Sequence, residues 1–319
     1  MLESQIIKKY FSKLSKDNLG SLNLNDDVFF DRKNKLIVSV DTYVEGIHFI
    51  NFKNPELVIK KMIRSSISDL VCKGVQPKYY FISGSGNRKS FTSTNLKKIS
   101  KSLKQEQKKY NIYLCGGDTV HSKKLSFTIT TVGFSNKIIF RNKAKLNDDI
   151  YVTGNLGDSF AGLNILNKRY KVSKNLKKYF QDKYYKPVIN LKLIKKLFLF
   201  ANTSMDISDG LIVDLEKLIN SQRFTFKLYL EDIPISNNLK KFILSKNLKK
   251  DLFISQGDDY QILFTANSSK SRIISKIAKS TGIKISKIGK ITSATHKSQI
   301  INQKGKKITI KERGYFHKF

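Results

Sequence analysis

The chain has 319 residues but only two cysteines and only 25 acids, set against 60 lysines and arginines. Cys72 and Cys115 have neither C-x-x-C spacing nor a neighbouring histidine, which excludes a disulfide framework and a zinc site. Both are expected to be buried free thiols in a reducing cytosol. No apolar stretch approaches the ~20 residues needed to cross a bilayer. The opening Met1-Leu-Glu-Ser-Gln-Ile-Ile-Lys-Lys-Tyr-Phe11 is a short amphipathic helix pattern without the apolar centre of a signal peptide. A soluble, cytoplasmic protein is the expectation, with no membrane partner. Also missing are a G-x-x-x-x-G-K-[ST] loop, a complete dinucleotide fingerprint and the protein-kinase catalytic loop, so the common nucleotide-binding signatures are excluded. There is no internal repeat and no low-complexity linker.

What is present reads as a packed protein. Hydrophobic residues make up 40% and aromatics 11%, a composition that buries cores rather than staying disordered. The length exceeds the usual single core, so two domains are expected. A formal charge of +35 ordinarily points to nucleic acid. Here lysine is spread from Lys8 and Lys9 to Lys306 and Lys307, always among Ile, Asn and Ser, which marks a compositional bias rather than a binding arm. Runs such as Lys246-Asn-Leu-Lys249-Lys250 read as solvated helix faces. A basic nucleic-acid-binding protein therefore stays a distant alternative, and no nucleic-acid partner is expected.

Hydrophobic periodicity places the elements. Leu36 to Val40 is a strand ending at Asp41-Thr42, and Pro55 opens a helix that Gly74 and Pro77 close. Val58, Met62, Ser65 and Asp69 share one face of that helix, which puts a carboxylate in line with a core stripe. A second helix surrounds Leu96, Ile99 and Leu103. Asn111 to Cys115 is a strand running into Gly116-Gly117-Asp118, read as a glycine-rich turn, and Leu125 to Phe134 is another strand. Asn147-Asp148-Asp149 interrupts the pattern, so the boundary is set just ahead of it, giving domains 1–146 and 147–319. Beyond it come Ile150 to Thr153 as a strand, Gly154 to Ser159 as its passage into a helix, a helix around Val188 to Phe200, Met205-Asp206-Ile-Ser-Asp209-Gly210 before a helix through Ile219, a strand from Phe224 to Leu230, and Gly257-Asp258-Asp259-Tyr260 ahead of a further strand. Helices and strands mixed in both halves predict an α+β (α/β mixed) fold in two domains.

The acids carry the functional signal. Asp26, Asp27, Asp41, Asp69, Asp118, Asp206, Asp209, Asp258 and Asp259 sit at turns, at element ends or on the core face of a helix, and all are Asp rather than Glu. Singly, such residues are ordinary turn formers and helix caps. As a set of short, hard oxygen donors in an acid-poor chain they suit magnesium, which is usually shared with substrate phosphates. Two glycines ahead of Asp118 permit close backbone approach to an anion, or simply a tight turn. His48, between Ile47 and Phe49, reads on its own as a packed histidine.

In their order, Asn25-Asp26-Asp27, Ser39-Val-Asp41-Thr42, His48-Phe49, Ser68-Asp69-Leu70 with Gly74, Gly116-Gly117-Asp118, Phe140-Arg141, Val152-Thr-Gly154 with Gly157-Asp158-Ser159, Met205 to Leu211, Gly257 to Tyr260 and Gly314-Tyr315 resemble the thiamine-monophosphate kinase family over essentially the full length. The resemblance implies an aminoimidazole ribonucleotide synthetase-like fold, with the N-terminal domain binding ATP and magnesium and forming a homodimer through joined sheets. It implies several Mg2+ ions on Asp27, Ser39, Val40 (through its carbonyl), Asp41, Asp69, Asp118, Asp206 and Asp209. Nucleotide contacts fall to Gly117, Asp118, Arg141 and Ser208, and thiamine monophosphate contacts to His48, Asp258 and Tyr315. Asp118, Asp209 and Arg141 would carry the transfer of the ATP γ-phosphate to thiamine monophosphate. The chain departs from the family pattern at Asn25 (usually Gly), Val40 (usually Thr) and Asp258 (usually Glu). The same fold serves other ATP-dependent synthetases, aminoimidazole ribonucleotide synthetase-like or hydrogenase-maturation-like, which form the alternative. Selenophosphate synthesis is disfavoured, because no Cys or catalytic Lys stands in a glycine-rich N-terminal loop.

Overall fold

The computed structural model describes residues 1–295, 297–317 and 319. In the first half the elements are α1 (Glu3–Ile6), β1 (Phe29–Asp31), β2 (Leu36–Val44), α2 (Pro55–Cys72), β3 (Pro77–Gly86), α3 (Ser93–Tyr110), β4 (Tyr113–His121) and β5 (Ser126–Phe134). The second half holds β6 (Asp149–Thr153), α4 (Asp158–Leu166), α5 (Lys174–Tyr185), α6 (Ile194–Leu197), β7 (Thr203–Asp206), α7 (Leu211–Leu218), β8 (Phe224–Tyr229), α8 (Asn237–Ser245), α9 (Lys250–Ile254), β9 (Ile262–Ala266), α10 (Ser271–Thr281), β10 (Ile285–Ser293) and β11 (Gln299–Ile301). Among the described residues no helix is long and apolar enough to cross a membrane.

Two mixed sheets result, ordered β1-β2-β5-β3-β4 and β11-β8-β10-β6-β9-β7. All strands of the first precede residue 147 and all strands of the second follow it. The mixture of helices with two mixed sheets is the expected α+β class. Between the sheets lies α2. Proline at its first turn starts it and Gly74, at φ +77°, follows its end. Fourteen of its eighteen residues are buried, so it is enclosed on all sides rather than amphipathic, and it packs on β2 and β5 on one side and on β7 on the other. One apolar cluster accordingly crosses the two halves, joining Tyr43, Met62 and Phe127 to Tyr151, Tyr184 and Phe264. A second, with Val152, Leu215, Phe226 and Ile291, lies on the α7 side of the second sheet.

Several sequence expectations need correction. Gly116, Gly117 and Asp118 are not a turn: they lie inside β4, which pairs parallel with β3. A Cβ on Gly117 would come within 1.8 Å of the Ile82 carbonyl oxygen, so the glycine serves strand-to-strand approach. The register slips between the Tyr80–Leu114 and Phe81–Gly116 pairs, which pushes Cys115 out as a bulge. Cys115 is therefore exposed, and only Cys72 is the expected buried thiol. The helix expected over 188–200 shrinks to a 3-10 turn and α6, while α5 carries no counterpart in the periodicity reading. Lys246 to Lys249 form the break between α8 and α9 rather than a helix face. The N-terminal helix is one α turn continued by π and 3-10 turns, and none of its residues is buried.

Candidate functional site

The aspartates meet where α2 packs against the end of β7 and the loop before β1. Asp27 arrives on the loop before β1, Asp69 on the last turn of α2 and Asp206 at the end of β7, and oxygens from the three lie within 4.8 Å of one another. Asp41, on β2, faces the same space because the pleat turns it to the side of Ser39 and away from the exposed Val40. Hydroxyls line the carboxylates. Ser39 Oγ donates to Asp69, Ser68 Oγ to Asp206 at 2.5 Å, and the Tyr43 hydroxyl to Asp41 at 3.1 Å. Ser65 and Ser66 hold that tyrosine, each at 2.8 Å.

Burial and crowding set the electrostatics. Desolvation, reinforced by Asp41 and Asp206, pushes the Asp69 carboxyl well above its ordinary 3.8. Desolvation raises Asp41 and Asp206 likewise. Among the described residues no base forms an ion pair with any of these three. Carboxylates so placed must take up protons or share a cation. The donors are all oxygens, from aspartate and serine, which fits a hard divalent ion such as magnesium and not a thiophilic one.

Two cations are built in beside them. Lys73, fully buried, sets its Nζ 2.6 Å from Asp26, 2.7 Å from Asp27 and 2.8 Å from the Ser204 carbonyl. Arg141 pairs with Asp27, and its backbone N–H donates to Asp26 at 2.9 Å. Desolvation lowers the Arg141 pKa, and the aspartates around it act to retain its charge.

The loop 206–210 forms the second wall. Asp214, buried on α7, accepts the N–H groups of Asp209 and Gly210 at 2.9 and 3.0 Å; burial, with Asp209 next in weight, pushes its carboxyl up to about 7. The Asp209 side chain pairs with Lys217, and its carbonyl accepts the Tyr315 N–H at 2.9 Å. Ser208 presents its carbonyl to the Asp258 N–H at 2.8 Å. These strands of backbone touch so closely that a Cβ on Gly257 would fall 1.8 Å from the Ser208 oxygen.

The two acids of 257–260 diverge. Asp258, at φ +70°, is partly exposed, pairs with Lys61 at 2.7 Å and accepts from Tyr260 at 3.1 Å. Asp259 turns inward and accepts the Gly157 N–H at 2.7 Å, capping α4. His48 is near Asp258 and Lys61. Its Nδ1 accepts the Val44 N–H at 3.0 Å, leaving Nε2–H as a donor. Desolvation, then the charge of His317, lowers its pKa, so the ring stays neutral. His317 stands between His48 and Tyr315, with ring centroids 5.4 and 4.9 Å away.

Of the sequence-derived set, the fold thus gathers Asp27, Ser39, Asp41, Asp69, Asp206 and Arg141 around one centre. Asp209 and Ser208 stand on the adjoining loop, and His48, Asp258 and Tyr315 gather beside it around His317 and Lys61. Gly117 and Asp118 are elsewhere. Asp41, Ile129, Ile82 and Gly117 form one row across four strands, three inter-strand steps, so Gly117 is about 14 Å from Asp41. The sequence does not single out Lys61, Lys73, Lys217 or Asp214, because nothing distinguishes three ion-paired lysines in a lysine-rich chain.

Comparison with known proteins gives a consistent result. The family model for the AIR synthase related protein N-terminal domain matches residues 24–135. A thiamine-monophosphate kinase of Buchnera aphidicola subsp. Schizaphis graminum is 34% identical over 327 residues, covering 99% of this chain and 98% of that protein. The solved structure of AaThiL complexed with AMPPCP and TMP matches with a TM-score of 0.83 at 26% identity over 99% of both chains. That of the thiamine monophosphate kinase from Aquifex aeolicus gives 0.77 at 26% identity, covering 93% of this chain and 96% of that one.

Proposed function

The chain belongs to the thiamine-monophosphate kinase family, and from that premise we propose how its residues carry out the reaction, ATP-dependent phosphorylation of thiamine monophosphate to thiamine diphosphate. The observation that carries the proposal is the convergence of Asp27, Asp69 and Asp206, from a loop, a helix and a strand in both halves of the chain, within 4.8 Å. The acceptor is a phosphate oxygen, already ionised, so the transfer needs no strong base. It needs two polyanions brought together in line. Asp27, Ser39, the Val40 carbonyl, Asp41, Asp69, Asp206 and Asp209 are the residues that would hold magnesium, and bound magnesium would neutralise the phosphates as charge moves between them.

The protein's own part is positioning. Arg141 supplies a fixed cation beside Asp27, aimed at charge on the transferring group. Lys73 holds the Asp26-Asp27 loop in place. Beside the acid centre His48 offers a neutral Nε2–H donor, Asp258 a carboxylate fixed by Lys61, and Tyr315 a ring edge to the thiamine moiety. Asp258 is one methylene shorter than glutamate, and the Lys61 ion pair together with the left-handed backbone at Asp258 fixes where its carboxylate stands.

We assign the nucleotide and metal contacts of the first domain, and the dimer edge, to residues 1–146, and completion of the site to 147–319. β4 is an exposed edge along its whole length, with Tyr113, Leu114 and Val120 bare, the kind of edge that pairs with another strand. We assign Gly117 and Asp118 to the partner's nucleotide in a dimer joined there, which would account for their distance from the acid centre of their own chain. Two free thiols suit a cytoplasmic setting. The direct test is ADP release with thiamine monophosphate, thiamine and aminoimidazole precursors supplied in parallel. Release with thiamine monophosphate alone is the expected result, and none with it would overturn the assignment.

A further inference from the structure

Of the three lysines at the site, two are locked: the side chains of Lys61 and Lys73 are 1% and 0% exposed. Lys217 is different. Its side chain is 35% exposed, it pairs with Asp209 and stands 3.6 Å from Asp214, and it also lines a cavity of about 860 Å³ together with Asp26, Arg32, Arg141 and Lys143. One side of this ammonium faces the acid loop and the other faces a basic cavity.

We propose that Lys217 is an exchangeable counter-ion: it holds Asp209 while the site is empty and passes to a phosphate oxygen of the nucleotide when the substrate enters. The inference rests on the kinase reading above, in which Asp209 takes up a divalent cation. An oxygen of Asp209 engaged by an ammonium is poorly available to a divalent ion, because two cations on one carboxylate repel. Displaced, the ammonium needs a new anion. Asp214 does not supply one fully, since its Oδ2 is committed to the N–H groups of Asp209 and Gly210 and its Oδ1 stands 3.6 Å from the ammonium, outside hydrogen-bond reach. The cavity does, once a polyphosphate lies along Arg141 and Lys143. α7 fixes where the swing begins, and a four-carbon stem with a point charge at its end suits the movement better than a planar guanidinium.

The exchange predicts opposite effects on two ligands, which a loss of structure cannot imitate. In full-length K217M, Mn2+ titrated without nucleotide and followed by electron paramagnetic resonance is expected to bind on the order of tenfold tighter, as the competing charge is gone. The ATP analogue AMPPCP, titrated by calorimetry at saturating Mg2+, is expected to bind about tenfold weaker, as a charge-assisted hydrogen bond is lost. K217R should recover most of the AMPPCP affinity. Both ligands weaker, both tighter, or neither changed would overturn the proposal. If K217M lacks the wild-type circular dichroism spectrum, K217M/D214N, which removes the acid left bare, carries the same two titrations. Failure of the unaltered protein to bind either ligand would instead overturn the kinase reading, and this inference with it.

Discussion

The Lys73 ammonium lies 2.7 Å from the Asp27 carboxylate, and no part of the lysine reaches solvent. It also touches Asp26 at 2.6 Å, so one buried cation serves two buried anions, with Arg141 as the second cation. Removing one partner of such a group leaves uncompensated charge in the interior. K73M should therefore lower unfolding free energy by about 3–5 kcal/mol, measured by urea denaturation without metal. D26N in the same chain should recover part of the loss. An unchanged midpoint in K73M would show that the cluster does not depend on this cation.

The metal-free protein should have an unusual pH profile. Asp41, Asp69 and Asp206 have folded-state pKa values above the ordinary 3.8. A raised carboxyl contributes stability that is fully present below 3.8 and is lost as pH rises through the folded value. With EDTA, Tm should fall from mildly acidic pH upward; with Mg2+, which replaces the protons, the fall should be largely removed. Scanning fluorimetry at pH 5 and 8 in both conditions tests this. A metal-induced gain in Tm that is no larger at pH 8 contradicts it.

Much of this was legible in the sequence, and the limits follow from physics. Ser39, Asp41, Asp69 and Asp206 stand at ends or faces of regular elements, so periodicity carries their positions and order carries their role. The ion pairs of Lys61 with Asp258 and of Lys73 with Asp26 join residues far apart in the chain, and no local pattern encodes them. Gly116-Gly117-Asp118 reads in sequence as an anion-approach loop or a tight turn, because glycine pairs usually mark loops rather than strand interiors. Here the cause is contact with the Ile82 carbonyl on the next strand, a tertiary demand. Asp258 and Asp259 are neighbours with opposite directions, and only the φ of +70° at Asp258 separates them.

Asp209 separates chemistry from folding. Its side chain is partly exposed and meets Lys217, while its backbone is held by Asp214 and Tyr315. D209N keeps the shape and those backbone bonds but loses the charge. ADP formation should drop by at least ~100-fold, the scale for losing one preorganised electrostatic group, with Tm within a few degrees of wild type. Retained turnover would remove Asp209 from the machinery.

Asp118 allows the dimer and the site to be tested together. If it acts on the partner's nucleotide while Asp209 acts on its own, D118N and D209N break different halves of each site. Each homodimer should be inactive. In a heterodimer, the D118N chain keeps Asp209 and receives Asp118 from its partner, giving one intact site, while the other site lacks both. Random exchange at equal amounts makes about half the dimers mixed, each with one working site of two, so activity should return to about a quarter of wild type. The measurement is ADP release after co-refolding, with D118N/D209N plus wild type as the control for exchange. If Asp118 served its own chain, every mixed dimer would have two broken sites, and mixing would restore nothing.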